Sequence, residues 1–157
     1  MSQDGIDLET SLGYLLKEAS SALRTAMEAS LRPLGMTITH YSCLELLSQR
    51  PGMSNSELAR GAFVTRQSMN VLLQTLERDG QVTRPIEARV GKVLPAELTP
   101  LGRESLAKAT AAVRSVEIRM LGNMTPAERS VARDTLRSMI HNLGSLDGND
   151  GDGESQR

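Results

Sequence analysis

Gln67, Asn70 and Gln74 recur at intervals of three and four residues, which places all three amides toward one face of a helix. An amide carries a donor and an acceptor side by side, the pattern that pairs with the N6/N7 edge of adenine in a DNA major groove. Val71 shares the face and can lie against a thymine methyl, while arginine can pair with guanine. Thr65, Arg66 and Ser68 open the same segment, and a helix N-terminus with small hydroxyls suits phosphate oxygens. The plainer reading is an amphipathic surface helix whose polar side holds amides by chance. The order of the flanking segments favours DNA.

Other chemistry is thin. The chain has no Ser-His-acid set, no glycine-rich phosphate loop and no acidic pair in a loop, so no enzyme is expected. His40 and His141 lack Cys or Asp neighbours at ligand spacing, so neither a metal nor a cofactor is expected. The single cysteine, Cys43, excludes an intramolecular disulfide and fits a reducing cytoplasm. With Leu44 beside it and no nearby base, it reads as an inert buried thiol and not a redox sensor.

The elements that must hold the amide face follow from spacing. Leu8, Leu12, Leu15, Leu16, Ala19, Leu23, Ala26 and Met27 predict a helix over 8–31, about 36 Å long, with more apolar face than one chain can cover. Arg32-Pro33 and Gly35 end it, and a second helix is predicted over 38–49 with Ile38, Tyr41, Leu44 and Leu47 inward. Ser54 and Glu57 form a capping-box pattern that opens a short helix through Phe63. Thr65 then caps the amide-bearing helix, whose stripe of Met69, Leu72, Leu73 and Leu76 faces inward and whose stop is Gly80. Residues 81–98 read as a hairpin with Pro95 on an edge strand and Arg89 and Lys92 near its tip. A basic tip of that kind can reach a minor groove or the backbone. Thr99-Pro100 starts a helix to about 121 with Leu106, Ala109, Val113, Val116 and Met120 inside, and Thr125-Pro126-Ala127-Glu128 starts the last one, to about Leu143.

Bulk properties agree. The 157 residues suit one domain, and only Tyr14, Tyr41 and Phe63 are aromatic, so an aliphatic helix-on-helix core is expected. The net charge of −1 hides an asymmetry: residues 60–103 carry seven cations against four carboxylates, whereas 145–157 is acidic. Rich in Gly, Asp and Ser, the segment after Leu143 is expected to be disordered. The start of the chain shows no signal peptide, and no apolar run is long enough for a membrane helix, so a cytoplasmic protein is expected.

Two helices separated by a tight turn and followed by a hairpin form a winged helix-turn-helix. Over residues 8–143 the chain resembles a MarR-type transcriptional regulator, on the stretches GMTITHYSCLELL, SNSELARGAFVTRQSMNVLLQTLERDGQVTR and ELTPLGRESL. The resemblance implies a mainly α fold with a small β-hairpin wing. It places a DNA-binding lobe at 35–99, helical dimerisation segments at 1–34 and 100–143, and the acidic tail at 144–157. It also implies a homodimer, acting as a repressor on a pseudo-palindromic stretch of double-stranded DNA. Half-sites would then lie about one turn, roughly 34–36 Å, apart.

The candidate DNA contacts are Ser54, Thr65, Arg66, Gln67, Ser68, Asn70, Val71, Gln74, Arg84, Arg89 and Lys92. Relatives usually place an Asp-x-Arg pair in the wing. Ungapped alignment from Gly80 to Thr99 puts Val90 and Lys92 there, while Glu87-Ala88-Arg89 sits three residues early, so Arg89 and Lys92 both stay candidates for the tip. Family members often bind small aromatic or lipophilic acids, and the matching positions here include Met36, His40 and Tyr41. The alternative for that trio is a core tyrosine with a half-exposed histidine beside it. From a different class, the alternative for the whole chain is a winged-helix module that binds protein without specific DNA binding.

Overall fold

A computed structural model describes residues 5–84 and 95–144. The chain divides into two compact units, Met1–Glu117 and Ile118–Arg157. In the first unit, helix α1 spans Leu12–Leu31, a 3-10 turn follows at Arg32–Leu34, and α2 spans Ile38–Gln49. Helix α3 covers Asn55–Gly61 and α4 covers Arg66–Arg78. Strands β1 (Val82–Thr83) and β2 (Glu97–Leu98) pair antiparallel, Val82 opposite Leu98 and Thr83 opposite Glu97. Helix α5, Pro100–Leu121, runs across the boundary, and α6, Pro126–Gly144, lies in the second unit.

Helix α1 starts four residues later than its apolar spacing predicts. The Asp7 carboxylate accepts from the Glu9 amide (3.1 Å) and the Thr10 hydroxyl (3.0 Å), giving that backbone a turn in place of a helix. Ser11 then caps α1 by accepting from the Tyr14 amide. Leu31 is buried and Leu23, Ala26 and Met27 are half-buried, but Leu12, Leu15 and Leu16 are exposed. The surplus apolar face expected for this helix is therefore present along its first half.

The core of the first unit is aliphatic. Leu31, Leu44, Leu47, Leu58, Met69, Leu73, Leu76 and Val82 are fully buried, with Ile38, Tyr41, Leu72 and Val113 packed at its margin. Three inward stripes, from α2, α3 and α4, meet there, and the strand pair closes one side through Val82 and Leu98. Pro95 precedes β2, which begins at Glu97, and so lies outside the edge strand in which the hairpin pattern puts it. A proline has no N–H for the ladder, so the pairing starts beyond it.

The base of the wing is tied to α5. The Thr99 amide donates to the Gln81 carbonyl (3.1 Å), its hydroxyl donates to the Gly80 carbonyl, and its oxygen accepts from the Gly102 amide (3.1 Å). Gly102 sits so close that a Cβ there would lie 2.1 Å from the Gln81 carbonyl oxygen. That contact accounts for the glycine in LTPLGR. Gly102→Ala is expected to destabilise the fold by about 1–3 kcal/mol, because backbone must move to admit one methyl. Urea unfolding followed by circular dichroism checks this; an unchanged midpoint would mean that the approach of α5 to Gln81 is looser than described.

In the second unit, Thr125 and Glu128 cap α6 reciprocally: each side chain accepts from the other's amide at 3.2 Å. Hydrogen bonding from the Thr125 backbone, then from its side chain, holds the Glu128 carboxyl below the usual carboxylate range. No α6 residue is buried, and Val131, Leu136, Ile140 and Leu143 stand exposed. Met120, expected inside, is also exposed. Among the described residues, no helix is long and apolar enough to cross a membrane.

Candidate nucleic-acid interface

Helix α4 divides as its spacing predicts. Met69, Leu73 and Leu76 are buried and Leu72 half-buried, while Gln67, Asn70, Val71, Gln74 and Arg78 are exposed. The apolar stripe anchors the helix and leaves the outward amides free of any role in positioning it. Val71, at 57% exposed, contributes little to the core. None of the outward amides makes a described side-chain hydrogen bond, so their donors and acceptors face water.

The N-terminus of α4 is built by a chain of small polar groups. The Thr65 oxygen accepts from the Ser68 amide (3.1 Å) and its proton goes to the Ser68 hydroxyl oxygen (3.0 Å). The Thr65 donor is thus committed, and the Ser68 proton is the one left to offer an anion. Arg66 is exposed beside it. Ser54, half-buried, caps α3 by accepting from the Glu57 amide (3.2 Å), which leaves its own proton uncommitted. Asn55 was missed by sequence reasoning: its amide donates to the Arg66 carbonyl (3.3 Å) and pins the start of α4 to the start of α3. A polar residue just after a cap gives no sequence signal for such a bridge.

The turn between α3 and α4 departs from expectation. Helix α3 ends at Gly61, two residues before Phe63, because Phe63 takes a left-handed backbone (φ 59°). Its amide bonds to the Arg60 carbonyl (3.3 Å) and the Val64 amide to the Ala59 carbonyl (3.0 Å), the two-bond closure of a Schellman motif. A non-glycine residue in that conformation costs about 1–2 kcal/mol. The side chain is 94% exposed.

Arg84 turns inward. Its Nε lies 3.8 Å from a Glu77 carboxylate oxygen, and Nε and Nη2 are buried with no hydrogen-bond partner among the described residues. Two of its three guanidinium nitrogens thus lie inside the fold. Arg89 and Lys92 lie outside the described residues.

Of the three positions matched to a ligand site, Met36 is buried in the core and Tyr41 packs at its margin. Burial raises the Tyr41 pKa, helped by the carboxylates of Glu45 and Glu117. His40 Nε2 lies 3.0 Å from the Gln81 side-chain oxygen, which links α2 to the base of the wing. An open groove of about 530 Å³ beside α3 is lined by Arg50, Pro51, Gly52, Met53, Glu57, Arg60 and Gly61, and by none of these three. Cys43, further along α2, is fully buried, and burial pushes its thiol up to about 12 despite the nearby Arg84 cation. The folded protein is expected to resist a disulfide reagent at pH 8 and to react fully once unfolded. Rapid labelling without denaturant would contradict that burial. Among the described residues no three metal-ligating side chains gather at one point.

Comparison with known proteins decides the family. A model described as MarR family matches residues 34–92, the helix-turn-helix and the start of the wing. An HTH-type transcriptional repressor of Mycobacterium tuberculosis is 43% identical over 142 residues, 90% of this chain and 99% of that protein. The chain belongs to the MarR family. This is a family of transcriptional regulators and not of enzymes. Two solved MarR structures from Mycobacterium tuberculosis are similar at 40% identity and a TM-score of 0.69. One is a complex with salicylic acid, with 88% of this chain and 99% of that chain covered. The other is a complex with DNA, with 83% and 98% covered. The winged-helix fold and the regulator class expected from the sequence are thereby established for this MarR chain.

Proposed function

We propose that this chain is a cytoplasmic, homodimeric repressor that reads a pseudo-palindromic operator through α4 and releases it on binding a small aromatic acid. The observation that carries the reading is the α4 surface: three unpaired amides and an exposed valine over a rigid apolar stripe, beside a capped N-terminus with a free hydroxyl proton. That surface has the donors, acceptors and methyls of a major-groove reader. The DNA complex of a similar MarR protein supports it.

In this reading Gln67, Asn70, Val71 and Gln74 meet base edges. Ser54, Thr65, Arg66 and Ser68 hold the phosphates, Thr65 by ordering its neighbour. Arg89 and Lys92 belong to the wing. Arg84, turned inward, supports the wing base and does not touch DNA. The segments 1–34 and 100–143 serve dimerisation: the exposed leucines of α1 and the exposed apolar side chains of α6 are each what a second copy would cover. The salicylic acid complex of a similar protein supports an aromatic acid as effector, with His40 and Tyr41 near its site. Residue His40 would pass its presence to the wing base through Gln81.

Nuclease protection on the region upstream of the chain's own gene tests the proposal. Two protected half-sites about one helical turn apart are expected, with affinity falling steeply as salt rises. Binding indifferent to salt, or a single unpaired half-site, would overturn it.

A further inference from the structure

We propose that Phe63 is a DNA-contacting residue, its ring lying against the deoxyribose carbons beside the phosphate held at the start of α4. The inference rests on α4 being the DNA-facing helix.

Three times in the first unit the same pair of backbone bonds closes a helical turn around a left-handed residue. Gly35 (φ 65°) does so with bonds from Gly35 to Arg32 and Met36 to Leu31. Gly80 (φ 74°) does so with Gly80 to Glu77 and Gln81 to Leu76. At the third, the residue is Phe63. Glycine adopts this backbone without penalty, and a bulky side chain resists it. The phenylalanine therefore opposes the turn it occupies. Nor does its ring repay the strain within the chain, because the side chain is almost wholly in water.

Its position gives the ring a use outside the chain. Phe63 lies two residues before Thr65, within about 7 Å of it along the chain. A phosphate is favoured at that end of α4, where the first amides have no helical partner. Bases are met further on, from Gln67. A ring on the other side of the cap meets the backbone and not the base edges. Phenylalanine has no hydrogen-bonding atom to offer a phosphate, and the apolar part of a DNA backbone is the sugar. Such a contact is sequence-independent and fixes how deeply α4 enters the groove.

Phe63→Gly separates this use from the fold, because it removes the ring and relieves the turn together. Fluorescence anisotropy is read on a labelled duplex from the region upstream of the chain's own gene and on a scrambled duplex of equal composition. The glycine variant is expected to melt at or above the wild-type temperature and to bind both duplexes about tenfold more weakly. Its salt slope should be unchanged, since no phosphate charge contact is lost. Phe63→Leu, which keeps apolar bulk, should recover most of the affinity. Wild-type affinity in the glycine variant on both duplexes would overturn the proposal. So would a loss confined to the upstream duplex, which would mean a base contact, or a lowered melting temperature, which would mean the ring packs within the fold. If the wild-type chain itself binds neither duplex, the reading of α4 fails first and the proposal falls with it.

Discussion

Replacing Gln67 and Asn70 together with alanine is expected to erase most of the preference for an operator over unrelated duplex while leaving the fold intact. Each bidentate amide–adenine pair contributes about 1–3 kcal/mol of discrimination, so losing both should cost about 2–6 kcal/mol at each half-site, and a homodimer loses that at both. Neither side chain is part of the core, and alanine is the better helix former, so thermal stability should hold or rise slightly. Affinity for non-operator DNA and the salt slope should stay near wild type, because neither residue carries a charge to neutralise phosphate. Equal losses on operator and unrelated DNA would place these residues on the backbone and not on bases.

The second large effect falls on the inner side of the same helix. Leu73 is fully buried between the stripes of α2, α3 and α4, and Leu73→Ala is expected to destabilise by about 2–5 kcal/mol through lost burial and the cavity left behind. Against a total stability of about 5–15 kcal/mol, that is a large share, and the melting temperature should drop by on the order of 10 °C. Val71→Ala, two residues away but more than half exposed, should shift it by a degree or two at most. Comparable losses from the two would show that α4 is rotated about its axis from the orientation described, and the assignment of its outer face would go with it.

The contrast between these two variants also shows what the sequence made legible. Apolar spacing is a strong signal where a helix is amphipathic and capped, and α2 spans Ile38–Gln49, the range predicted for it. The same holds for α4, whose cap, stripe and glycine stop all appear as read. Errors arose where a local polar or backbone choice overrode the period. Asp7 draws the chain into a turn before α1, and spacing cannot register a carboxylate bonding to its own backbone. Phe63 continues a plausible helix in sequence but takes the left-handed position that glycine normally marks.

The candidate site was legible in its outer face and less so in its supports. Exposure of Gln67, Asn70 and Gln74 follows directly from the burial of Met69, Leu73 and Leu76. The Asn55 bridge and the inward turn of Arg84 depend on contacts between segments brought together by folding, and no spacing within one segment encodes them. Their effect is on placement: Asn55 fixes where α4 starts, and Arg84 ties the end of β1 to Glu77 of α4.

The central claim is that the α4 amides read adenine edges. A double-mutant cycle tests it most directly, using an operator duplex in which adenines of one half-site are replaced singly by 7-deazaadenine, which lacks the N7 acceptor. The duplexes are bound by wild type and by Gln67→Ala and Asn70→Ala. At the adenine each amide reads, the deaza substitution should weaken wild type by about 1–3 kcal/mol and leave the matching alanine variant almost unaffected, a coupling near the full size of the loss. Additive penalties at every adenine would contradict the claim and place the amide face of α4 away from the bases.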